Sequence, residues 1–254
     1  MIAASAELDD ARLHSPLGRV SPVVKLAIAI VWLGGLALTL RVMPPLVLAV
    51  VALAAGVTLG RIPGRTFARS LAPLWIAAIG IGMSNILFAA SNSDPSAAEL
   101  VRIGPVRITQ DAAMAGLALV CRVVAIASVG AVFSLTTDST RLADSLVQQA
   151  HVSPRFAYGA LAAYQAIPRF GEDLTTLRQA RRVRGLRGGW HPRLLVGVLV
   201  LAIRHADRMA LAMDARAFGS GPRTFYRPLH WTWLDVVVGA GAVAILVVAL
   251  AAPA

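Results

Sequence analysis

The chain has 254 residues, 57% of them hydrophobic and 15% charged, and a formal net charge of +11. Soluble domains carry about 45–50% apolar and about 25% charged residues, so an ordinary water-soluble globule is excluded, and hydrophobicity this high excludes a disordered chain. Oily composition combined with 24 Lys and Arg against 13 Asp and Glu points to a polytopic membrane protein with one basic surface.

The first 22 residues are mixed and polar, with acids at Glu7, Asp9 and Asp10. They lack the basic start, apolar stretch and small-residue cleavage site of a removable signal, so the first apolar run is expected to be a retained span. A spanning helix needs about 20 mainly apolar residues to cross a hydrocarbon core of about 30 Å. Val23–Leu40 and Val42–Gly60 qualify, parted only by the stretch Arg41-Val42-Met43-Pro44-Pro45. Leu71–Ala90 and Ala112–Leu135 qualify too, the latter with Arg122 in its middle. A fifth span, Trp231–Ala252, opens with Trp231 and Trp233, which suit the headgroup level, and carries Asp235 near the same surface. Leu194–Ile203 is apolar for too short a stretch to span. The expected organisation is an N-terminal segment 1–22, four spans within 23–135, a polar region 136–230 and a last span in 231–254.

Positive charge orients such a chain, because Lys and Arg accumulate in cytoplasmic loops. Arg12, Arg19 and Lys25 flank the first span, Arg61, Arg65 and Arg69 follow the second, and segment 136–230 holds fourteen arginines, among them Arg187 and Arg223. Placing these regions inside leaves Arg41, Arg102 and Arg107 outside and Arg122 within a span. The N-terminus is therefore expected in the cytoplasm.

Segment 136–230 reads as two long helices. Ser153-Pro154 supplies an N-cap and a proline where a missing N–H does no harm. Apolar residues then recur at Phe156, Ala160, Ala163, Ile167, Phe170, Leu174 and Leu177, one helical face that runs on to Arg181 and Arg184. Gly185 follows as a C-cap, and Pro168 is expected to kink or break the run. The second helix is expected from about Arg193 to Phe218, with Asp207 in modest surface pairs with Arg204 and Arg208. It too ends in an arginine followed shortly by glycine, Ala215-Arg216-Ala217-Phe218-Gly219. Marking topology and attracting anionic lipid account for arginines near membranes in general. Neither accounts for two helices that finish alike, whereas an Arg fork at such an end could form a bidentate contact with a partner's carboxylate.

Other chemistry is sparse. Cys121 is the one cysteine and Lys25 the one lysine, and no Gly-rich loop ends in Lys-Ser/Thr, so this chain builds no internal disulfide, no cysteine zinc site and no phosphate-binding P-loop. His14, His151, His191, His205 and His230 form no short metal-ligand spacing. Met209 and Met213 share a helix face that suits packing. Two readings are open for Arg122, whose charge costs about 2.5–3.5 kcal/mol in a span: a polar contact in the bundle or with a partner, or snorkelling from nearer an interface. The competing class is an integral membrane enzyme acting on anionic lipid-linked substrates, but Asp207 and Asp214 have no further acid to complete a catalytic set. No nucleic-acid-reading module is recognisable.

Three separated patches resemble a known family. They are Ser15-Pro16-Leu17-Gly18-Arg19-Val20-Ser21-Pro22-Val23-Val24-Lys25-Leu26, Ala180-Arg181-Arg182-Val183-Arg184-Gly185, and Ala206-Asp207-Arg208 through Ala215-Arg216-Ala217-Phe218-Gly219. In order and spacing they resemble the transmembrane T component of energy-coupling-factor transporters, which includes the CbiQ-like subunits of cobalt systems. The resemblance implies an all-α polytopic fold of about five transmembrane helices and a cytoplasmic pair of long crossing coupling helices. It implies a non-catalytic subunit without cofactor, with ATP and Mg held by two ATP-binding-cassette subunits. A separate small membrane S component would bind the cargo, a vitamin or a cobalt or nickel ion. Carried over by position, Arg184 and Arg216 are the docking arginines, with Gly185, Ala215 and Ala217 as small neighbours. The chain departs from the pattern at Val183, where alanine is usual.

Overall fold

The computed structural model describes residues 15–39, 41–93, 98–103, 106–186, 191–221 and 224–251. Most of the polar N-terminal segment, Arg187 and Arg223 lie outside the described residues. The elements run α1 (Pro16–Arg19), α2 (Pro22–Ala37), α3 (Met43–Thr58), α4 (Gly64–Phe88), β1 (Glu99–Ile103), β2 (Val106–Thr109), α5 (Gln110–Thr136), α6 (Ser139–Gln148), α7 (Pro154–Val183), α8 (Pro192–Ala215) and α9 (Trp233–Ala251). Five of these helices, α1, α2, α3, α7 and α8, carry proline in their first turn, where its fixed φ is already helical and its missing N–H would be unpaired anyway.

The chain divides into two compact units, 1–142 with 230–254, and 143–229. The first holds the apolar helices. Among the described residues three of them, Gly64–Asn92, Gln110–Thr136 and Trp233–Ala251, are long and apolar enough to cross a membrane, the first by including the 3-10 turn after α4. α2 and α3 are 16 residues each, about 24 Å at 1.5 Å per residue, and so shorter than a bilayer core. The five expected spans thus appear as three long and two short apolar helices.

Small residues let these helices approach closely. Trp32, Leu36, Leu48, Ala52, Ala125, Val129, Ala242 and Leu246 form one core from α2, α3, α5 and α9. α4 joins through Phe67 and Leu71 against Ala127 of α5. Further along that pair, an added Cβ at Gly116 would lie 2.3 Å from Ile86 Cγ1 and 3.0 Å from the Gly82 carbonyl oxygen, so two glycines face each other at the crossing. Such close approach of small residues is how helices associate where lipid is as apolar as their side chains.

One end of this bundle is pinned by polar side chains. Asp235 is 3% exposed, and its carboxylate accepts the Ser21 N–H (2.6 Å) and the Thr232 N–H (2.8 Å), joining the starts of α2 and α9. Burying a carboxylate is tolerable here because it is held by charge-assisted hydrogen bonds to orphan helix N–H groups. Lys25 is likewise buried, and its Nζ donates to the Thr136 carbonyl (2.8 Å) at the C-terminus of α5, where a cation suits the helix dipole. Arg141 of α6 donates from Nη1 to the Gly18 carbonyl (2.9 Å). No counterpart in the sequence reading exists for α1, for α6 or for the antiparallel pair β1–β2, in which Ile103 is in register with Val106 and Arg107 pairs with Glu99.

The glycine crossing is testable. Gly116→Ala is expected to cost about 1–3 kcal/mol through overpacking. Gly130→Ala, whose Cβ would meet nothing within 4 Å, is expected to be neutral or better. Thermal unfolding of the two variants in detergent compares them directly.

Candidate functional site

The second unit carries α7, α8 and the two arginine-bearing helix ends. α7 is continuous from Pro154 to Val183 with Pro168 inside it, so the proline does not break the helix. Pro168 leaves the Tyr164 carbonyl without its i→i+4 donor, and both residues are exposed, where solvent can take that carbonyl. α8 ends at Ala215, three residues before the expected boundary.

The pair runs antiparallel. A Cβ on Gly197, near the start of α8, would lie 2.9 Å from Leu177 Cδ1 near the end of α7. Beyond the other end of α8, the rings of Phe218 and Tyr158 meet edge-on with centroids 6.3 Å apart. Arg184 and Arg216 therefore sit at opposite ends of the pair, separated by roughly 40 Å of helix at 1.5 Å per residue.

Both helix ends have the same hydrogen-bond pattern. After α7, the Gly185 N–H donates to the Arg182 carbonyl (3.0 Å) and the Leu186 N–H to the Arg181 carbonyl (3.1 Å). After α8, the Ala217 N–H donates to Asp214 (2.9 Å) and the Phe218 N–H to Met213 (2.9 Å). Each is a Schellman motif, with the arginine as the last half-helical residue and the next residue left-handed. The left-handed positions are Gly185 (φ 72°) and Ala217 (φ 53°). Glycine adopts this conformation freely, whereas a Cβ makes it cost about 1–2 kcal/mol. Glycine signals would place the second cap at Gly219; the chain instead puts alanine in that role.

Both arginines are exposed, as are Val183, Ala215 and Ala217. A cation at a helix C-terminus is favoured by the partial negative charge there, so each guanidinium is presented from an end that stabilises it. Arg181 is half-buried, and its Nε has no hydrogen-bond partner among the described residues. The apolar face expected on α7 is only partly covered: Phe170, Leu174 and Leu177 are half-buried, whereas Phe156 and Ile167 are exposed. On α8, Val196, Leu199, Val200 and Ile203 form an exposed stripe at helical spacing. The expected pairs of Asp207 do not form; Arg208 Nε donates instead to the Arg204 carbonyl (3.2 Å), a local bond that leaves its charge in solvent.

The second arginine end has neighbours that sequence spacing did not reveal. Tyr158 donates its hydroxyl to Asp144 Oδ1 (2.7 Å), and Arg155 Nη2 donates to the Gly219 carbonyl (3.3 Å). Only the aromatic at Phe218 and the glycine at Gly219 hinted at them.

Arg122 is the thirteenth of 27 residues in α5. It is half-buried, and its Nε is enclosed without a hydrogen-bond partner among the described residues. No cluster of three or more His, Cys, Asp or Glu side chains able to hold a metal occurs among the described residues. A cavity of about 260 Å³ lies between α2, α3, α5 and α9. It is lined by apolar side chains apart from Lys25 and Thr136, and it carries no acid–base pair.

A bundle of apolar helices joined to an arginine-tipped helix pair defines a multi-pass membrane protein. The CbiQ family model, described as a cobalt transport protein, matches residues 14–226, and the chain belongs to that family. It is 29% identical over 251 residues to the energy-coupling factor transporter transmembrane protein EcfT of Heliobacterium modesticaldum, covering 89% of both chains. Against EcfT of Listeria innocua the identity is 27% over 245 residues, covering 87% of this chain and 88% of that one. A protein of Bifidobacterium longum provisionally named an ABC transporter ATP-binding protein is 26% identical over 263 residues. That alignment takes in 94% of this chain but 32% of the longer protein.

Burial, and then the hydrogen bond to Asp144 and its charge, push the Tyr158 phenol up from 10.0 to about 12. The folded chain thus holds this proton more tightly than an unfolded one. The resulting stabilisation is complete below about pH 10 and is lost as pH rises through about 12. With Tyr164→Phe and Tyr226→Phe removing the other phenols, absorbance titration is expected to place the midpoint near pH 12, and Asp144→Ala to lower it.

Proposed function

We propose that this chain is the T component of an energy-coupling-factor importer. It passes ATP-driven motion of two ATP-binding-cassette subunits to a small membrane S component that holds a micronutrient. Cargo of the vitamin or cobalt and nickel class fits the family. The chain itself is a non-catalytic lever without cofactor, and ATP and Mg belong to the partner ATPases. The excess of arginine in residues 136–230 supports a cytoplasmic location for α7 and α8 and for the N-terminus.

The observation that carries this reading is the matched pair of helix ends. Arg184 and Arg216 occupy equivalent positions in the same capping motif at opposite ends of one antiparallel pair, a spacing suited to two separate copies of a partner. Gly185, Ala215 and Ala217 keep the surroundings small, so a groove can close around each guanidinium, and Val183 widens the first contact by two methyl groups. Planar guanidinium forks bind carboxylates in bidentate fashion and hold them best once water is excluded. The similarity to an ATP-binding protein that contains a comparable segment supports ATPases as the partners. Arg122, half-buried within α5, supplies a cation for an acceptor on the S component or in the bundle.

Truncating one partner of a buried charge pair costs about 2–5 kcal/mol. Arg184→Ala and Arg216→Ala are each expected to lower cargo uptake and ATPase co-purification at least tenfold while membrane insertion stays normal. The double variant is expected to be the worst. Unchanged uptake and unchanged ATPase association in all three would remove the role.

A further inference from the structure

We infer that the first turns of α7 position Arg216, making the two arginine ends mechanically unlike: a braced end at Arg216 and a yielding end at Arg184. The inference rests on the docking role just proposed and adds residues to it, Arg155, Tyr158 and Phe218, with Asp144 behind them.

The two caps share the Schellman pair of hydrogen bonds and differ in what the described residues place around them. At the first, the left-handed residue is Gly185, and a Cβ built there would meet nothing within 4 Å. Its flanking side chains, Val183 and Leu186, are 89% and 51% exposed. Nothing described packs on the glycine position, and its backbone conformation is one glycine enters and leaves freely.

At the second cap the left-handed residue is Ala217, a conformation an L residue keeps only where its surroundings over-determine it. Those surroundings are present. Phe218, half-buried, meets the edge of Tyr158 with ring planes at 73°. Tyr158 is itself held by its hydroxyl bond to Asp144 of α6, so the ring on which Phe218 rests cannot swing away freely. Gly219 lies against Arg155 so closely that a Cβ there would collide with Nε, and Arg155 Nη2 holds the Gly219 carbonyl. The residue after the arginine is strained and the two after it are clamped, so the direction in which Arg216 leaves α8 is set by α7 and α6. A force applied at Arg216 reaches both helices, whereas among the described residues Arg184 is backed only by its own turn.

A double-variant cycle in the full chain, co-purified with its ATPase subunits, tests this. In an Arg184→Ala background, where association depends on Arg216, Phe218→Ala is expected to reduce ATPase recovery at least tenfold. In an Arg216→Ala background the same substitution is expected to change recovery less than twofold. Phe218→Tyr, which keeps the ring edge, is expected to rescue. Tyr158→Phe, which keeps the ring but cuts the tie to Asp144, is expected to fall between. Equal losses in both backgrounds would show a general folding effect and overturn the inference, as would no loss in either. If Arg216→Ala alone leaves ATPase recovery intact, the docking role fails first and this inference falls with it. If Arg216→Ala lowers recovery but Phe218→Ala does not, docking stands and only the bracing is wrong.

Discussion

Everything proposed for this chain depends on how two helices stop. A helix leaves its last carbonyls unpaired, and the cheapest repair folds the chain back through one left-handed residue. That repair also points the last half-helical side chain outward, at the place where the helix dipole favours a cation. Arginine at that position, at each end of one antiparallel pair, gives two stabilised guanidinium forks held roughly 40 Å apart by stiff backbone. A lever needs little else: rigidity between its ends and a grip at each of them.

The membrane bundle solves a different problem. Its helices bury a core of large apolar side chains and cross most closely where small residues meet, as at Gly82 and Gly116. Its buried charges, Lys25 and Asp235, are spent on orphan backbone groups at helix ends, where they join α2, α5 and α9 at one end of the bundle. The opening motif of the chain, which includes Ser21 and Lys25, thereby acquires a structural meaning. It ties the first apolar helix to the last and to α5, from which α6 follows directly.

Much of this was legible in the sequence, for identifiable reasons. Long apolar runs have few alternatives to helices, so Leu71–Ala90, Ala112–Leu135 and Trp231–Ala252 reappear as α4, α5 and α9 within a few residues, α4 beginning several residues earlier. The first cap was readable because Gly185 occupies the position that glycine favours. The second helix stops three residues short of its expected end because Ala217 takes that position against its own preference, and only tertiary contacts explain why. Pro168 reads as a kink or a break because spacing does not report whether a freed carbonyl faces solvent. α6 escaped because it is only 10 residues long and begins almost where α5 ends. The β1–β2 pair escaped because its alternation is brief, although Gly104-Pro105 between two β-prone runs was a usable turn signal. Asp235 was placed at the membrane surface from its position beside the tryptophans. Its capping of two helices required knowing that the starts of α2 and α9 are neighbours.

The docking claim is tested most directly by placing a photo-reactive amino acid at position 184, at position 216, and at both, in cells making the complete transporter. Docking requires that each single position crosslink to an ATP-binding-cassette chain, and that the doubly labelled protein capture two of them at once. Crosslinks to lipid or to other membrane proteins alone, with no ATPase chain at either position, would contradict it.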